Sequence, residues 1–326
     1  MEVNHILQSV YDWTDLVTAV SNPLEKFGST FILAPRQISI KRFKQIIKQY
    51  LPKGNIILGI AQEEFIQGFE GQPQFRTLEL ESVEKYAYNS NSKLIILKYP
   101  QSEILPVIQK LNFRRAVIVN GSFHRSFHLR LEYQAILDKG ASIKYISPFT
   151  DETEAQEFAN KFVVKNTTSK PRAKSHHSEH VAKPTPQSDS EFKNLISVES
   201  SRSFETSFQT AAAIVTESGE VICQHNIVAP YETYAWHHGF QREKHKSQAG
   251  DSSHYDSVHA ETAALLLVGL KAKGAKLYCC TFPCPHCARN IVFAGISEVI
   301  YELDYGDKYG YNLFDKSGVK YRRFHE

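Results

Sequence analysis

Two stretches in the last third of the chain decide its fold: "SVHAETAALLLVGL" (257–270) and "TFPCPHCARN" (281–290). In each, side chains that can bind a metal come just before an apolar helical pattern: His259 and Glu261 in the first, Cys284 and Cys287 in the second. Pro285 suits the first position of a helix, where its missing N–H has no partner to lose. The apolar run "AKLYCCTF" between them predicts a strand. We therefore expect a helix–strand–helix unit with its metal-binding side chains at the helix starts.

These residue types match the ligands that zinc prefers. Zinc takes thiolate and imidazole ligands in tetrahedral geometry, and a catalytic site keeps three protein ligands and one open position. His259, Cys284 and Cys287 supply three ligands, and we expect Glu261 to face the open position as a general acid and base. The alternative is a closed structural zinc site, with His286 as the fourth ligand, or a cluster without catalysis.

The residues around these motifs predict a C-terminal α/β/α domain with a mixed sheet. "SEFKNLIS" favours a helix with Ser190 as its cap, and "TAAAIVTESGEVICQHN" favours a hairpin that turns at Ser218 and Gly219. The segment 231–257 is interpreted as a long polar loop. "EVIYEL" and "VKYRRF" predict two further strands.

The N-terminal half has a different pattern, in which short apolar runs alternate with helical ones. "STFILAP", "NIILGIA", "KLIILKYP", "RAVIVN" and "SIKYISPF" read as strands, and "KRFKQIIKQYL" as an amphipathic helix. This alternation predicts a Rossmann-like parallel sheet covered by helices on both faces. A ligand loop is predicted after the fourth of these strands, at the edge where such sheets bind phosphorylated ligands: Asn120, Gly121, Ser122, His124 and Arg125. A tight turn that caps the next helix is the alternative, and the chain has neither of the common glycine-rich nucleotide fingerprints.

The chain is long enough for more than one domain. At 326 residues we expect a Rossmann-like domain at 1–164, a basic flexible linker at 165–189 and a metal-binding domain at 190–326. The linker is rich in Ser, Thr, Pro and Lys, and it lacks the apolar side chains that would order it. Five cysteines, all in the last third, suit a reducing compartment, and no long apolar run is present, so a cytoplasmic protein without membrane association is expected. A net charge of +3 does not indicate nucleic-acid binding.

The pattern "HAE" (259–261) followed by "PCPHC" (283–287) is the signature of zinc nucleobase deaminases. The chain from about 190 to 326 resembles the cytidine and deoxycytidylate deaminase family, also in "FQTAAAIVTESGEVICQHN" and in the passage from "GAKLYCC" to "ELDYGDKYG". The resemblance implies that Asn226 contacts the sugar of the substrate and that Tyr305 forms part of the wall around the base. It departs from the family at "TAAA" (210–213) and at Ala263, which leaves the substrate less defined than the reaction.

The resemblance implies hydrolytic deamination of a cytosine nucleotide, with dCMP converted to dUMP by a zinc-activated hydroxide and Glu261 as proton shuttle. Arg202 is a further candidate, for the 5'-phosphate. Two alternatives stay open: a deaminase acting on a base in RNA or single-stranded DNA, and a ligand-sensing regulatory protein with a deaminase-like output domain. A small-molecule nucleotide is the expected partner, and nucleic acid is a second one. A homo-oligomer is expected because family members commonly form them.

One catalytic zinc is predicted. A second zinc or a phosphate bound by the histidine-rich loop is the less favoured interpretation of His225, His237, His238, His245 and His254.

Overall fold

The computed structural model describes residues 10–18, 22–25, 27–28, 30–33, 36–87, 94–163, 186–249, 251 and 253–325. The chain divides into two compact units. Unit 1 comprises Met1–Phe158 and Thr233–His254, and unit 2 comprises Ala159–Glu232 and Tyr255–Glu326. We call Thr233–His254 the inserted segment, because it interrupts unit 2 in the sequence but belongs to unit 1. Residues 165–185 of the predicted linker lie outside the described residues.

A parallel six-stranded sheet forms the centre of unit 1. Its strands are β1 (Val10–Asp12), β2 (Thr30–Leu33), β3 (Ile56–Ala61), β4 (Leu94–Tyr99), β5 (Arg115–Val119) and β6 (Ser142–Ile146). Their order is β1-β4-β3-β2-β5-β6, and every neighbouring pair is parallel. From β2 the chain moves outward to β3 and β4, and from β5 it moves the other way to β6. The carboxyl ends of β2 and β5 therefore form the point at which the strand order reverses, where open α/β sheets bind ligands.

Apolar side chains cover both faces of this sheet, as alternation along buried parallel strands requires. Phe31 and Leu33 pack in one core and Ile32 in the other. The helices of this part of the chain are α1 (Trp13–Thr18), α2 (Ile40–Tyr50), α3 (Leu80–Ala87), α4 (Ile104–Lys110), α5 (Leu131–Asp138) and α6 (Glu152–Val163). Helix α2 begins after Ser39, whose side chain accepts a hydrogen bond from the Arg42 N–H at 3.1 Å.

Unit 2 is built on a mixed sheet. Its elements are α7 (Asp189–Ser200), β7 (Ala211–Val215), β8 (Val221–His225), β9 (Ile227–Val228), β10 (Ser257–Val258), α10 (Ala260–Val268), β11 (Lys276–Thr281), α11 (Pro285–Ala294), β12 (Glu298–Leu303), α12 (Tyr309–Ser317) and β13 (Lys320–Arg323). Five strands pair in the order β13-β12-β11-β7-β8, parallel from β13 to β11 and antiparallel beyond it. Cys279 lies in the core on one face, and Cys280 packs on the other. The predicted α/β class, with one parallel and one mixed sheet, is confirmed.

Several local predictions need correction. Helix α7 is capped by Ser188, not Ser190, because the Ser188 hydroxyl accepts from the Glu191 N–H and Ser190 lies inside the helix. The segment 231–257 is not only loop: it contains the short helices α8 (Tyr234–His238) and α9 (Gln241–His245). The sequence patterns did not predict helices α1, α3, α6 and α12 or the short strands β1, β9 and β10. Among the described residues, no helix has the length and apolar character needed to cross a membrane.

Candidate active site

Two helix starts carry the predicted metal ligands of unit 2. His259 is the N-cap residue of α10, and Cys284 is the N-cap residue of α11. Cys287 lies in the first turn of α11 and is buried. Because β11 runs between the two helices and leads into the Pro283–Pro285 turn, the sheet fixes both helix starts at the same place. The structure thus brings together the three residues that the sequence motif singled out.

The distances between these side chains suit one tetrahedral zinc ion. The His259 Nδ1 atom lies 3.4 Å from the Cys284 Sγ atom and 3.4 Å from the Cys287 Sγ atom. Bond lengths of about 2.3 Å to sulfur and about 2.0 Å to nitrogen, at the tetrahedral angle, separate the two donors by about 3.5 Å. One donor atom from each of His259, Cys284 and Cys287 lies within 4.8 Å of the others. Donor chemistry and spacing both fit zinc.

The electrostatic environment of the two thiols favours the loss of a proton. The hydrogen bond from Cys287 lowers the pKa of the Cys284 thiol, and His259 acts in the same direction. The same contact between the sulfurs raises the pKa of Cys287, with burial as the second cause. One thiolate is therefore stabilised within the cysteine pair, and thiolate is the form that binds zinc.

Glu261 lies in the first turn of α10, beside the metal-binding group. Its side chain is buried, and the Cys287 thiol donates to its Oε2 atom at 3.5 Å. Burial raises the pKa of the Glu261 carboxyl, and the charge of His259 opposes that shift. A buried carboxyl group with a raised pKa, next to a metal site, can both accept and donate a proton.

Aromatic and polar side chains that the motif does not include surround this group. The Tyr255 ring meets the His259 ring edge-on, with 5.0 Å between centroids. The Thr262 hydroxyl lies 3.6 Å from the Cys287 Sγ atom and accepts from the Asn290 amide at 3.1 Å. Glu205 interacts electrostatically with His259, and burial raises the pKa of the Glu205 carboxyl. No sequence motif pointed to Tyr255 or Glu205, because Tyr255 lies in the polar segment before α10 and Glu205 lies far from every predicted ligand in the sequence.

The proposed substrate residues lie near the ends of β8, α7 and β12. Asn226 is buried, and its side chain donates to the Phe208 carbonyl and accepts from the Thr210 N–H, each at 3.0 Å. Burial raises the pKa of the Tyr305 hydroxyl, and the negative charge of Cys284 raises it further. Arg202 donates to the Glu199 carboxylate at 3.0 Å. The contacts of these three residues with a substrate stay a prediction.

His225 belongs to a buried ionic network in unit 2. Its Nδ1 atom lies 2.7 Å from a Glu199 oxygen, and its Nε2 atom lies 3.2 Å from a Glu232 oxygen. Burial alone would lower the pKa of His225, but hydrogen bonds to both carboxylates outweigh it and raise the pKa to about 9. Arg202 is the second cation of the network, through Glu199. Because its two nitrogens face different carboxylates, His225 is held as an imidazolium ion.

The other histidines of the predicted loop lie in the inserted segment. His237 and His238, together with Glu152, each offer a donor atom within 4.8 Å of the others, and the His238 Nε2 atom lies 2.7 Å from a Glu152 oxygen. The rings of His245 and His254 stack at 4.0 Å. These contacts give His237, His238, His245 and His254 partners within the protein. The number of zinc ions stays a prediction.

The predicted ligand loop follows β5 in unit 1. The Asn120 side chain donates to the Trp236 carbonyl at 2.9 Å, and the Gly121 carbonyl accepts from Arg36. Ser122 is buried, and its hydroxyl has no hydrogen-bond partner among the described residues. His124 packs edge-on against the Phe69 ring, and Arg125 adopts a left-handed conformation at φ 63°. The structure places these residues at the reversal point of the sheet. A bound ligand there stays a prediction.

Known proteins resemble part of this chain. Residues 186–303 match the family described as cytidine and deoxycytidylate deaminase zinc-binding region. A deoxycytidylate deaminase from Saccharomyces cerevisiae is 32% identical over 145 residues, which cover 43% of this chain and 45% of that protein. A probable deoxycytidylate deaminase from Drosophila melanogaster is 43% identical over 72 residues, covering 20% and 36%. The crystal structure of dCMP deaminase from cyanophage S-TIM5 is 18% identical, with a TM-score of 0.31, over 42% of this chain and 96% of that one.

These matches concern only part of each protein. The chain spans less than half the length of the yeast and fly relatives. The family match at residues 186–303 includes the candidate zinc site, and the resemblance inferred from the sequence motif is confirmed for that region. Residues 186–303 therefore resemble a cytidine and deoxycytidylate deaminase zinc-binding region.

Proposed function

We propose that the chain is a zinc-dependent deaminase of a cytosine nucleotide, which converts dCMP to dUMP. The observation that carries the proposal is the placement of Glu261 beside a His259–Cys284–Cys287 group whose spacing fits zinc. The names of the yeast and fly relatives and the matched family support cytosine as the base. The proposal includes three points: that the reaction depends on zinc, that the substrate is a monophosphate, and that the whole chain carries out the reaction.

Zinc bound by the three side chains would supply Lewis-acid activation of a water molecule. The overall reaction forms a bond from the water oxygen to C4 of cytosine and breaks the bond from C4 to the amino nitrogen. Glu261 accepts one proton from the water at a carboxylate oxygen and delivers it to N3. It then carries the second proton to the amino nitrogen, which leaves as ammonia. The buried position of Glu261 keeps bulk water from competing for these protons.

The remaining substrate contacts follow from the groups around the site. The Asn226 side chain already makes two hydrogen bonds, but its amide keeps one more N–H and its oxygen one more lone pair for a sugar hydroxyl. We assign Tyr305 to the wall around the base. Arg202 is proposed for the phosphate, in competition with its present partner Glu199.

The test uses the purified full chain and a panel of dCMP, CMP, dCTP, cytidine, adenosine, an RNA oligonucleotide and a single-stranded DNA oligonucleotide. We expect ammonia from dCMP and a change in its ultraviolet spectrum to that of dUMP. The Glu261→Gln variant should keep one zinc per chain and lose a factor of about 10² to 10⁴ in kcat, the range typical of a lost general acid or base. Release of ammonia only from the oligonucleotides would favour the alternative of a nucleic-acid deaminase. No release from any substrate by a zinc-loaded protein would refute the proposal.

A further inference from the structure

Two neighbouring histidines and a carboxylate converge in unit 1. His237 and His238 are the last two residues of α8, and Glu152 is the first residue of α6. One donor atom from each of the three lies within 4.8 Å of the others. Glu152 lies outside residues 186–303, so this group is not part of the region that matches the deaminase family. It is a second candidate metal group among the described residues.

The distances within this group lie on either side of those expected around a zinc ion. The Glu152 Oε2 atom lies 2.7 Å from the His238 Nε2 atom and 3.9 Å from the His237 Nε2 atom. Nitrogen and oxygen ligands at about 2.0 to 2.1 Å from zinc, at the tetrahedral angle, lie about 3.3 Å apart. Each distance therefore differs from this value by about 0.6 Å. Rotation of the half-exposed Glu152 side chain can supply a shift of this size.

Ser147 holds the His237 ring in an orientation that suits a metal ligand. The Ser147 hydroxyl oxygen lies 2.8 Å from the His237 Nδ1 atom, and it accepts from the Phe149 N–H at 3.0 Å. Its second lone pair can accept the hydrogen of Nδ1, which leaves the Nε2 lone pair for a metal. The His237 side chain is 17% exposed, whereas those of His238 and Glu152 are 37% and 46% exposed. The group thus combines one fixed donor with two that an ion can reach from solvent.

An ion pair between His238 and Glu152 is the simplest alternative to a metal site. It accounts for the 2.7 Å contact between these two residues, but it does not account for the position of His237. The His237 Nε2 atom lies 3.9 Å from the same carboxylate oxygen, which is beyond hydrogen-bond distance but within the separation of two ligands on one ion. The convergence of His237 on this pair therefore favours a shared metal.

The donor set selects the class of ion. Two imidazoles and one carboxylate suit Zn²⁺ and the neighbouring divalent transition metals. Mg²⁺ and Ca²⁺ prefer oxygen ligands throughout. None of the three side chains is buried, and three donors leave a coordination position for water. We expect this group to hold zinc more weakly than the buried thiolate pair, so that the ion is lost in dialysis and taken up again when zinc is added.

We infer that Glu152, His237 and His238 form a binding site for a divalent transition-metal ion such as Zn²⁺, and that the ion ties the end of α8 to the start of α6 within unit 1. Ser147 is a positioning residue for His237. The site shares no residue with the His259–Cys284–Cys287 group and contains no sulfur ligand. The inference goes beyond the proposed deamination and does not depend on it.

The test starts from the purified full chain after dialysis against metal-free buffer, which we expect to retain the zinc of the His259 group. Calorimetric titration with Zn²⁺ should then show one further ion per chain, and titration with Mg²⁺ should show none. His238→Gln and Glu152→Gln should weaken this uptake by more than about tenfold, and Ser147→Ala by about tenfold. His245→Gln, the same kind of change in the same segment but outside the group, should leave it unchanged.

Two further measurements identify the ligands of the added ion and its effect on the fold. X-ray absorption at the zinc edge should show new nitrogen and oxygen neighbours at about 2.0 Å and no new sulfur. Hydrogen–deuterium exchange reports the tie between the helices. At a free zinc concentration of about ten times the Kd, exchange of residues 234–238 should slow by about tenfold in the wild type. The Glu152→Gln variant should show no such change.

Each outcome decides one part of the inference. No uptake beyond the His259 group, or equal uptake by the wild type and His238→Gln, would overturn the site, and an equal response to Mg²⁺ would overturn the class of metal. Uptake with unchanged exchange would overturn the tie between α8 and α6. If His238→Gln does not fold, Glu152→Gln decides. A wild type without sulfur-bound zinc would count against the proposed function, whereas zinc bound only by nitrogen and oxygen, and lost in Glu152→Gln, would still support this site.

Discussion

Protonation of His225 should make the stability of unit 2 depend on pH. The pKa of His225 is raised from 6.5 to about 9, because hydrogen bonds to Glu199 and Glu232 outweigh the effect of burial. A raised pKa in the folded state stabilises the fold fully below pH 6.5, and the contribution is lost as the pH rises through about 9. The difference between the two values corresponds to about 3 kcal/mol. Because His225 is buried, solvent screening reduces this little.

The assay must report on unit 2 alone. The two tryptophans, Trp13 and Trp236, both belong to unit 1, so tryptophan fluorescence does not serve. We would follow urea unfolding by pulsed hydrogen exchange and mass spectrometry on peptides from β7 and β8, at zinc saturation, from pH 6 to 9.5. The free energy of unfolding should fall by about 3 kcal/mol over this range through His225.

The matched control is His225→Gln, which keeps a polar side chain but cannot take up the proton. Other groups that titrate, the predicted zinc ligands among them, are shared by the two proteins, so the difference between their pH profiles reports His225 together with its partners Glu199 and Glu232. We expect the variant to be less stable than the wild type at pH 6 and to approach it at pH 9.5. Parallel profiles would refute the reasoning, because they would mean that His225 binds its proton no more tightly in the folded state.

Three further predictions test the zinc site and the cores. Removal of zinc by a chelator should abolish deamination, and added zinc should restore it; Cys284→Ser should purify with clearly less than one zinc per chain by elemental analysis. Gly59→Ala should destabilise unit 1 by about 1 to 3 kcal/mol in thermal unfolding, since its Cβ atom would lie 2.7 Å from the Phe31 ring, whereas Gly306→Ala, with open space around it, should have little effect. Phe282→Ala should cost unit 2 about 3 to 5 kcal/mol by denaturant titration, because the ring is buried and stacks on Tyr311 at 3.6 Å.

Elements set by local patterns could be predicted from the sequence. Strands β2 to β5 are continuous apolar runs, and the buried face of α2 consists of Phe43, Ile46, Ile47 and Tyr50, at helical spacing. The convergence of His259, Cys284 and Cys287 could be predicted because these residues follow a fixed motif. Zinc chemistry restricts both the residue types and their spacing.

Other features depend on contacts between distant parts of the chain. The segment 231–257 is mostly polar, and its helices α8 and α9 are too short to show periodicity. The partners of Trp236 and Glu243 lie more than a hundred residues earlier, at Asn120 and Phe127. Helix α12 was missed because Gly310 interrupts its pattern, although Phe314 is buried in the core. Single-sequence reasoning cannot identify such partners.

The assignment of Thr233–His254 to unit 1 also limits how this chain can be cut. A fragment that starts after the linker would contain the whole zinc-binding motif, but it would carry Trp236 without Phe75, Phe149 and Phe158, whose rings lie within 6.5 Å of it. Such a fragment would expose the Trp236 indole and leave the Glu243 carboxylate without the Phe127 and His128 N–H groups. An exposed apolar surface of this kind promotes aggregation of a recombinant protein. We therefore expect that the candidate zinc site cannot be moved into another protein as residues 186–326 alone, and that such a transfer would require a redesigned replacement for the twenty-two residues Thr233–His254.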